Sequence, residues 1–272
     1  MNKVANSLND IKEYITDFEN KVERKGIWYR GVTNSDYKLI PSLQRDLPPK
    51  TLHDDMKNIE RKMFDIFKNT KEIKDMSFTD WELMYLMQHL GLRTRFLDWT
   101  FNPLVALFFA TYNWNKKQNA RLWLLDPHLL NKIYLGEEII IQPKQENSYF
   151  DFLDTYTINN DIYALDHYQF NYDGFNKRIE AQSGVFTLHL SRNMLSPNIY
   201  SLDNTLETAA TINKHKYSDL PTSDIVLNYI DIHPNAANEI EQYLFEKDIS
   251  IKTLFPDLHG TVDYINNIFP NF

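Results

Sequence analysis

The hydrophobic positions near the start of the chain predict a helix followed at once by a strand. Between residues 7 and 23, apolar side chains recur every three or four positions, as on one face of a helix: Leu8, Ile11, Ile15, Phe18 and Val22. Residues 27–31 are then mostly apolar and aromatic and close on Gly31, which is typical of a short strand. The helix would therefore lead directly into a strand that carries Arg30 near its end.

Two further helices are predicted before residue 92. The segment from Leu52 to Lys74 is amphipathic with lysines on one face, and we expect a solvated helix without a functional role. A capping box of the form T-x-x-E, beginning at Thr79, marks the start of the next helix, and Gly91 lies where it would stop. This second helix would place Gln88 and His89 in its last turn.

The remainder of the chain predicts more strands than helices. Residues 95–100 read as a strand, and Asn102 followed by Pro103 marks the N-cap and first residue of an apolar helix ending near Tyr112. Four later strands and one helix are predicted: Arg121 to Leu125, Glu138 to Ile141, Val185 to Leu190, Ile225 to Ile232, and a helix from Asn235 to Glu246 before a short helical tail. This order of elements predicts an α+β fold rather than alternating parallel α/β units.

The chain shows no repeat, low-complexity tract or linker, so we predict a single domain over residues 27–272, with residues 1–26 as an N-terminal helix packing on it. Cysteine is absent, which excludes disulfides, thiolate zinc sites and cysteine nucleophiles and fits a cytoplasmic location. The charged N-terminus lacks signal-peptide character. The longest apolar stretch, Pro103 to Tyr112, is about half the length of a transmembrane helix, so no membrane association is expected.

The charge pattern favours a local anionic ligand over a broad nucleic-acid surface. The net charge of −8 argues against binding by bulk electrostatics, which needs clustered lysine and arginine. Arginine offers a rigid fork that matches phosphate and carboxylate groups. Five arginines lie in or beside the segments described next, although chance clustering is the alternative explanation: Arg30, Arg45, Arg93, Arg95 and Arg178.

Several familiar catalytic signatures are missing, and each absence removes a class of protein. The sequence has no G-x-G-x-x-G after a strand, no G-x-x-x-x-G-K-[ST], no H-E-x-x-H and no G-x-S-x-G. Dinucleotide-binding Rossmann domains, P-loop proteins, zincin metalloenzymes and α/β-hydrolases are therefore disfavoured. The histidines are scattered without ligand spacing, so we expect no metal site.

Two segments carry candidate chemistry. Arg30 lies between Tyr29 and Gly31, where an arginine can point into a cleft while glycine lets a ligand approach the backbone, or where it can simply pair with a carboxylate at the edge of the core. Residues 88–100 are rich in polar groups. One interpretation is a ligand site in which Asp98 holds Arg30 or Arg95, while His89 donates to the ligand and Trp99 stacks on a flat ring. The other is a buried network in which Asp98 caps the helix at Asn102 and Trp99 belongs to the core.

A third segment, residues 178–186, places Glu180 and Gln182 two residues apart immediately before a strand, which puts both on one face if the segment is extended. They would then lie against a sugar hydroxyl or along a solvent-facing strand edge, and both interpretations remain open.

Taken together and in this order, these blocks resemble the FRG domain, a bacterial and phage-associated family named for an aromatic-Arg-Gly motif. The resemblance runs from about residue 27 to 260. Its blocks are Tyr29-Arg30-Gly31, Pro41 to Arg45, Gln88 to Ala110, Arg178 with Gln182, Gly184 and Phe186, and Leu254 to Leu258 with Gly260. The chain departs from the pattern at Arg93, where proline is usual, and at His259, where aspartate is usual.

The arrangement of the blocks is also similar to that of ADP-ribosyltransferases, which implies a split mixed or antiparallel sheet flanked by helices. Arg30 stands at the arginine that ends the first strand of those enzymes. Residues 98–100 and the helix after them stand at the S-T-S strand and its helix, and Glu180-Ala181-Gln182 stands at the E-x-E or Q-x-E segment. Gln182 is neutral where those enzymes use glutamate, so Glu180 or Asp98 would supply the charge.

The resemblance implies an NAD-dependent mono-ADP-ribosyltransferase, a toxin or anti-phage effector that uses NAD as a substrate and modifies a nucleic acid or a protein. It also implies an antitoxin or inhibitor protein as a potential partner. The implied catalytic residues are Arg30, Glu180, Gln182 and Asp98, and the implied NAD-binding residues are Tyr29, Arg30, Gly31, Arg45, His89, Thr94, Arg95, Trp99 and Thr100. The alternatives are a non-catalytic module that binds a nucleotide or a partner, and an NAD glycohydrolase.

Overall fold

A seven-stranded mixed sheet forms the centre of the computed structural model, which describes residues 3–22, 26–47, 53–146, 148–156, 162–167, 173–190, 202 and 221–256. The strand order is β1-β7-β4-β2-β3-β6-β5, with β1 and β7 parallel and the other neighbours antiparallel. The strands are β1 (Lys3–Ala5), β2 (Trp28–Val32), β3 (Phe96–Thr100), β4 (Ala120–Leu125), β5 (Ile162–Leu165), β6 (Gly184–His189) and β7 (Leu227–Ile232). This is an α+β fold, as the order of elements predicted.

Helices cover both faces of the sheet. They are α1 (Leu8–Val22), α2 (Ser42–Asp46), α3 (His53–Lys68), α4 (Asp80–His89), α5 (Pro103–Thr111), α6 (Pro127–Leu135), α7 (Tyr149–Tyr156), α8 (Asp173–Gln182), α9 (Ser223–Val226), α10 (Ala237–Glu246) and α11 (Ile251–Leu254). Short 3-10 turns occupy Pro143–Gln145 and Pro234–Ala236. Because successive strand residues face opposite sides, the two faces build two separate cores.

The first core contains Trp28 and Trp123 and packs against α3, α4, α6 and α7. The second contains Tyr29 and Leu122 and packs against α1, α5, α10 and α11. Residues 3–22 therefore contribute to the second core through α1 and to the sheet through β1, which pairs with β7.

The sheet is nearly divided between β2 and β3. Five residue pairs join β2 to β4, and five join β3 to β6. The β2–β3 contact has a single registered pair, Tyr29 with Thr100. β3 ends at Thr100, and on the other side of this pair the two strands have no further registered pair, so the carbonyl oxygen of Asp98 accepts from the side chain of Arg30 instead. The sheet thus opens beside Arg30, between two well-paired halves.

The predicted helix starts on either side of β3 are confirmed. Thr79 accepts a hydrogen bond from the backbone N–H of Glu82 and donates its own backbone N–H to the Glu82 carboxylate, 2.8 Å away, which completes the capping box of α4. The Asn102 side chain accepts from the N–H of Leu104 at 2.9 Å, with Pro103 at the first position of α5. Local capping chemistry thus fixes both helices that adjoin the opening.

Two strand predictions were wrong, in whole or in part. In Glu138 to Ile141, only Ile141 forms a bridge, with Leu165, because Ile141 alone exchanges hydrogen bonds with the outer edge of β5. The strand predicted from Ile225 begins at Leu227, because residues 223–226 form the short helix α9. The patterns also missed β1, β5, α6 and α7, and the helical tail predicted at the end of the chain lies outside the described residues.

The backbone of α5 packs directly against β2 at Gly31. A Cβ atom added to Gly31 would lie 1.8 Å from the carbonyl oxygen of Ala106 and 2.6 Å from the backbone nitrogen of Ala110. The backbone of α5 therefore occupies the space of the missing side chain. This is a different reason for glycine than the approach of a ligand, because the fold itself leaves no room for a methyl group.

We expect Gly31→Ala to lower the free energy of unfolding by about 3 kcal/mol, because α5 must move away from β2 to relieve the clash. Gly184→Ala is the matched control. Its Cβ would find its nearest neighbour at 3.7 Å, an ordinary contact, so a change below about 1 kcal/mol is expected. Urea unfolding of both variants measures the difference, and equal losses would contradict the packing role of Gly31.

Candidate functional site

A cleft of about 450 Å³ lies where β2 and β3 separate, and its volume is in the range of small-molecule sites. Its walls come from β2 and the loop after it, the end of α4, β3, α5, α8 and the start of β6. Aromatic side chains make up much of the lining: Tyr29, Tyr37, Trp99, Phe109, Phe186 and Phe255. The opening between the sheet halves is thus a concave site suited to a ligand with flat rings.

Arg30 lies at the mouth of the opening in the sheet. Its Nη1 donates to the carbonyl oxygen of Asp98 at 2.6 Å and lies 3.8 Å from the Asp98 carboxylate. Partial burial lowers the pKa of Arg30, the Asp98 charge opposes this effect, and the positive charge of Arg45 reinforces it. The Arg30 side chain is 23% exposed, so its guanidinium faces the cleft as a partly desolvated cation.

Asp98 is the only carboxylate among the described residues that line the cleft. Its side chain is 58% exposed, and its Oδ1 accepts a hydrogen bond from Gln88 Nε2 at 2.9 Å. Of the two partners proposed for Asp98, the structure selects Arg30. The helix cap at α5 is supplied by Asn102 itself, so the predicted capping role of Asp98 is wrong.

Trp99 lines the cleft but is only 3% exposed and belongs to the first core, which confirms the core interpretation of this residue. Two buried polar residues support its indole. Its Nε1 donates to Thr187 Oγ1 at 3.0 Å, and the same hydroxyl lies 3.0 Å from His189 Nε2. The Thr187 hydroxyl accepts from the indole, and the tautomer of His189 decides which partner donates in the second contact. Burial lowers the pKa of His189 to about 3, and the charge of Arg30 adds to this effect.

Four other residues predicted to bind NAD also line the cleft: Tyr29, Gly31, His89 and Thr100. The hydroxyl of Tyr29 donates to Glu19 on α1 at 2.6 Å, so its polar end is directed to α1. Burial, with the hydrogen bond to Glu19, raises the pKa of Tyr29 well above its usual value. Thr100 donates to the carbonyl oxygen of Gln182 at 2.7 Å, which joins β3 to the end of α8, and His89 lines the cleft at the end of α4.

The strand interpretation of residues 178–182 is wrong, because these residues form the last turns of α8. Side chains two positions apart on a helix point to different sides. Gln182 lines the cleft and donates its Nε2 to the carbonyl oxygen of Leu254 at 3.1 Å. Glu180 is exposed to solvent and is not among the residues that line the cleft.

Three predicted NAD-binding residues are likewise not among the lining residues. Arg95 is fully buried, where its Nε donates to Glu60 Oε2 at 2.7 Å, so its partner is Glu60 rather than Asp98. Burial raises the pKa of Glu60, opposed by the charge of Arg95. Thr94 is buried beside Gln88, and Arg45 is exposed on α2.

The cleft also contains residues to which the sequence assigned no role. The Arg178 guanidinium lies 4.2 Å from the centre of the Phe255 ring, and both side chains line the cleft. Both stand in blocks of the family resemblance, which was the available signal. Phe109 also stands in such a block, the segment from Gln88 to Ala110. Tyr37 had no such signal, because an aromatic residue in a loop looks the same whether or not it faces a ligand.

The chain forms an α+β domain whose cleft combines two arginines, one carboxylate and several aromatic rings among its described lining residues. Residues 25–119 match the model of the FRG domain family, which confirms the predicted resemblance over β2 to α5. No curated protein and no solved structure matches the chain. The similarity of the later blocks to this family stays a prediction.

No helix within the described ranges is long and apolar enough to cross a membrane. Within the same ranges, no group of three or more histidine, aspartate or glutamate side chains is placed to hold a metal ion.

We expect Arg95→Met to lower the free energy of unfolding by about 3–5 kcal/mol, because Glu60 then loses its buried partner. The double variant Arg95→Met with Glu60→Gln should recover much of that loss. As a control, Lys132→Met removes the more exposed ion pair with Glu138 and should cost about 1 kcal/mol or less. Urea unfolding tests all three, and a double variant no more stable than Arg95→Met would contradict the pairing.

Acid should destabilise the fold through His189. Its pKa falls from 6.5 in the unfolded chain to about 3 in the native protein, so the unfolded state binds more protons below pH 6.5 and stability is lost as the pH falls towards 3. Between pH 7 and 5 the free energy of unfolding should fall by about 2 kcal/mol through the protonation of His189 in the unfolded state. His189→Gln should remove this pH-dependent loss.

The measurement is the difference in unfolding free energy between the wild type and His189→Gln at each pH. Thr187→Ser, which keeps the hydroxyl facing the imidazole, should retain the wild-type pH dependence. A difference that stays constant from pH 7 to 5 would show that His189 is not held neutral.

Proposed function

We propose that the protein is an NAD-dependent mono-ADP-ribosyltransferase with NAD as the substrate of the cleft. The observation that carries this proposal is the Arg30–Asp98 pair at the opening between β2 and β3. It places a fixed cation and the one carboxylate of the described cleft lining side by side, next to aromatic walls. A substrate with an anionic pyrophosphate, whose ribose becomes positively charged as neutral nicotinamide leaves, needs both charges.

Arg30 and Arg178 supply the cations for the pyrophosphate. Arginine binds phosphate oxygens through two parallel N–H groups, and partial burial strengthens such contacts by excluding water. Phe109 and Phe255 supply apolar surface for the nicotinamide and adenine rings, while Trp99 is buried behind the cleft and supports its wall. Arg45 adds positive charge near Arg30 without lining the cleft.

The proposed reaction breaks the bond between C1′ of the ribose and the nicotinamide nitrogen, and the bonding electrons leave with nicotinamide. Positive charge then develops on C1′ and the ring oxygen. Asp98 stabilises that charge as a carboxylate and accepts a hydrogen bond from a ribose hydroxyl. A nucleophilic atom of the acceptor bonds to C1′ and releases its proton to water. Gln182 assists as a neutral hydrogen-bonding group, and Glu180 takes no part.

The acceptor is a nucleic acid or a protein, and the net charge of −8 favours a protein because it opposes broad phosphate binding. An activity of this kind damages the cell that contains it, so a role as a toxin or anti-phage effector, restrained by an antitoxin or inhibitor protein, belongs to the same proposal.

One observation favours a second candidate, a non-catalytic module that binds a nucleotide. Gln182 occupies the position where ADP-ribosyltransferases carry glutamate, and its amide is engaged by the carbonyl oxygen of Leu254. An amide held in this way stabilises the wall of a binding site without supplying charge.

Incubation of the purified protein with NAD labelled on the adenine moiety, together with cell protein and nucleic acid, tests the proposal. Label transferred to macromolecules, with release of nicotinamide, is the expected result. Nicotinamide release without transfer would indicate an NAD glycohydrolase. Binding of NAD without turnover would indicate the non-catalytic module, and the absence of both binding and turnover would contradict all three.

Variants then assign the activity to the cleft. Arg30→Ala and Asp98→Asn should each reduce the rate of nicotinamide release about a hundredfold or more, because each removes a charge that faces the reacting groups. Arg61→Ala is the matched control, since Arg61 lies on α3 against Phe150 and outside the cleft lining. Undiminished transfer by a folded Arg30→Ala protein would overturn the site assignment.

A further inference from the structure

We infer that Thr94 and Gln88 form a relay that positions the Asp98 carboxylate. The inference deepens the proposed function and rests on it, because it takes Asp98 as the group that acts on the ribose. Gln88 lies in the last turn of α4 and Thr94 lies in the segment before β3, so the relay fixes a side chain of β3 from two neighbouring elements.

The hydrogen bonds determine the orientation of the Gln88 amide. Thr94 Oγ1 accepts from the backbone N–H of Phe96 at 3.2 Å and donates its own proton to Gln88 Oε1. The opposite end of the amide, Nε2, then donates to Asp98 Oδ1 at 2.9 Å. An amide turned by 180° would set its oxygen against the carboxylate, and two acceptors would repel each other.

Thr94 is a firm anchor for this relay. It has no exposed surface, and its carbonyl oxygen accepts from the backbone N–H of Leu43 at 3.2 Å. Asp98, in contrast, is more than half exposed and would sample several rotamers if nothing held it. Through the relay, a buried and fixed residue therefore restricts the rotamers of an exposed carboxylate.

The geometry assigns the two carboxylate oxygens of Asp98 different tasks. Oδ1 is held by Gln88, while Oδ2 lies 3.8 Å from Nη1 of Arg30 and faces the cation across the opening. A carboxylate fixed at one oxygen can meet developing charge without first reorganising, and this preorganisation is the source of its effect on rate. Gln88 and Thr94 are positioning residues, since they act through Asp98.

Two substitutions separate the relay from the general stability of the site. Thr94→Val removes the proton donor that selects the orientation of the amide, whereas Thr94→Ser keeps it. Thr94→Val should reduce kcat for nicotinamide release about tenfold with little change in KM, while Thr94→Ser stays near the wild type. Gln88→Leu should reduce kcat at least as much, and Gln242→Leu, on the exposed face of α10, serves as its control.

The decisive measurement is a double-mutant cycle. If Thr94 acts through Asp98, Thr94→Val should have no further effect on kcat in a protein that already carries Asp98→Asn. A purely structural role of Thr94 would reduce kcat by a similar factor in both backgrounds, and that result would overturn the inference.

A second measurement needs no ligand. The side-chain NH₂ signals of Gln88 in a ¹H–¹⁵N spectrum, assigned from their absence in Gln88→Leu, should shift in Asp98→Asn and in Thr94→Val but not in Thr94→Ser. If neither substitution moves these signals, the relay does not exist.

The two measurements distinguish the failure of the inference from that of the proposed function. Shifted Gln88 signals in a protein that neither transfers ADP-ribose nor releases nicotinamide would contradict the proposed function and, with it, the role of the relay in ribose chemistry, while leaving the hydrogen-bonded geometry intact. Turnover with additive effects in the cycle would contradict the relay and leave the proposed function standing.

Discussion

The close contact between α5 and Gly31 is the constraint on which the rest of the structure depends. α5 starts three residues after β3 ends, yet it lies against β2, the strand across the opening. It therefore ties the two halves of the sheet together at the place where they share one residue pair. Without this tie, the opening would have little to define its width, because most of the backbone hydrogen bonding lies within each half.

The opening in turn decides where charge can be placed. Arg30 and Asp98 lie at its edge, where both retain access to solvent and a ligand can approach. Arg95 lies only three residues from Asp98, but it faces the interior and is satisfied by Glu60, with Tyr149 donating to the same carboxylate at 3.0 Å. Two arginines in neighbouring motifs thus have opposite surroundings: Arg30 faces the cleft, and Arg95 holds α3 against the start of β3.

Local chemistry explains which elements could be predicted from the pattern of residues. The starts of α4 and α5 follow from a capping box and an Asn-Pro pair, whose hydrogen bonds span only a few residues. β1 could not be found in this way, because three residues become a strand only by pairing with β7, more than 200 residues later. The segment at residues 178–182 was misassigned for a similar reason, since its short polar pattern suits either a strand edge or a helix end and only packing distinguishes them.

The sequence by itself determined the α+β class, the helices and strands that flank the opening, the FRG resemblance confirmed over residues 25–119, and the three segments that supply the cleft. These depend on local patterns of apolar, capping and motif residues. The tertiary structure decided which polar side chains meet: Arg30 with Asp98, Arg95 with Glu60, and Thr94 with Gln88. The reason is geometric. The partner of a buried polar group depends on which strands pair and on how closely a helix approaches a glycine. Neither can be predicted from the local pattern of residues.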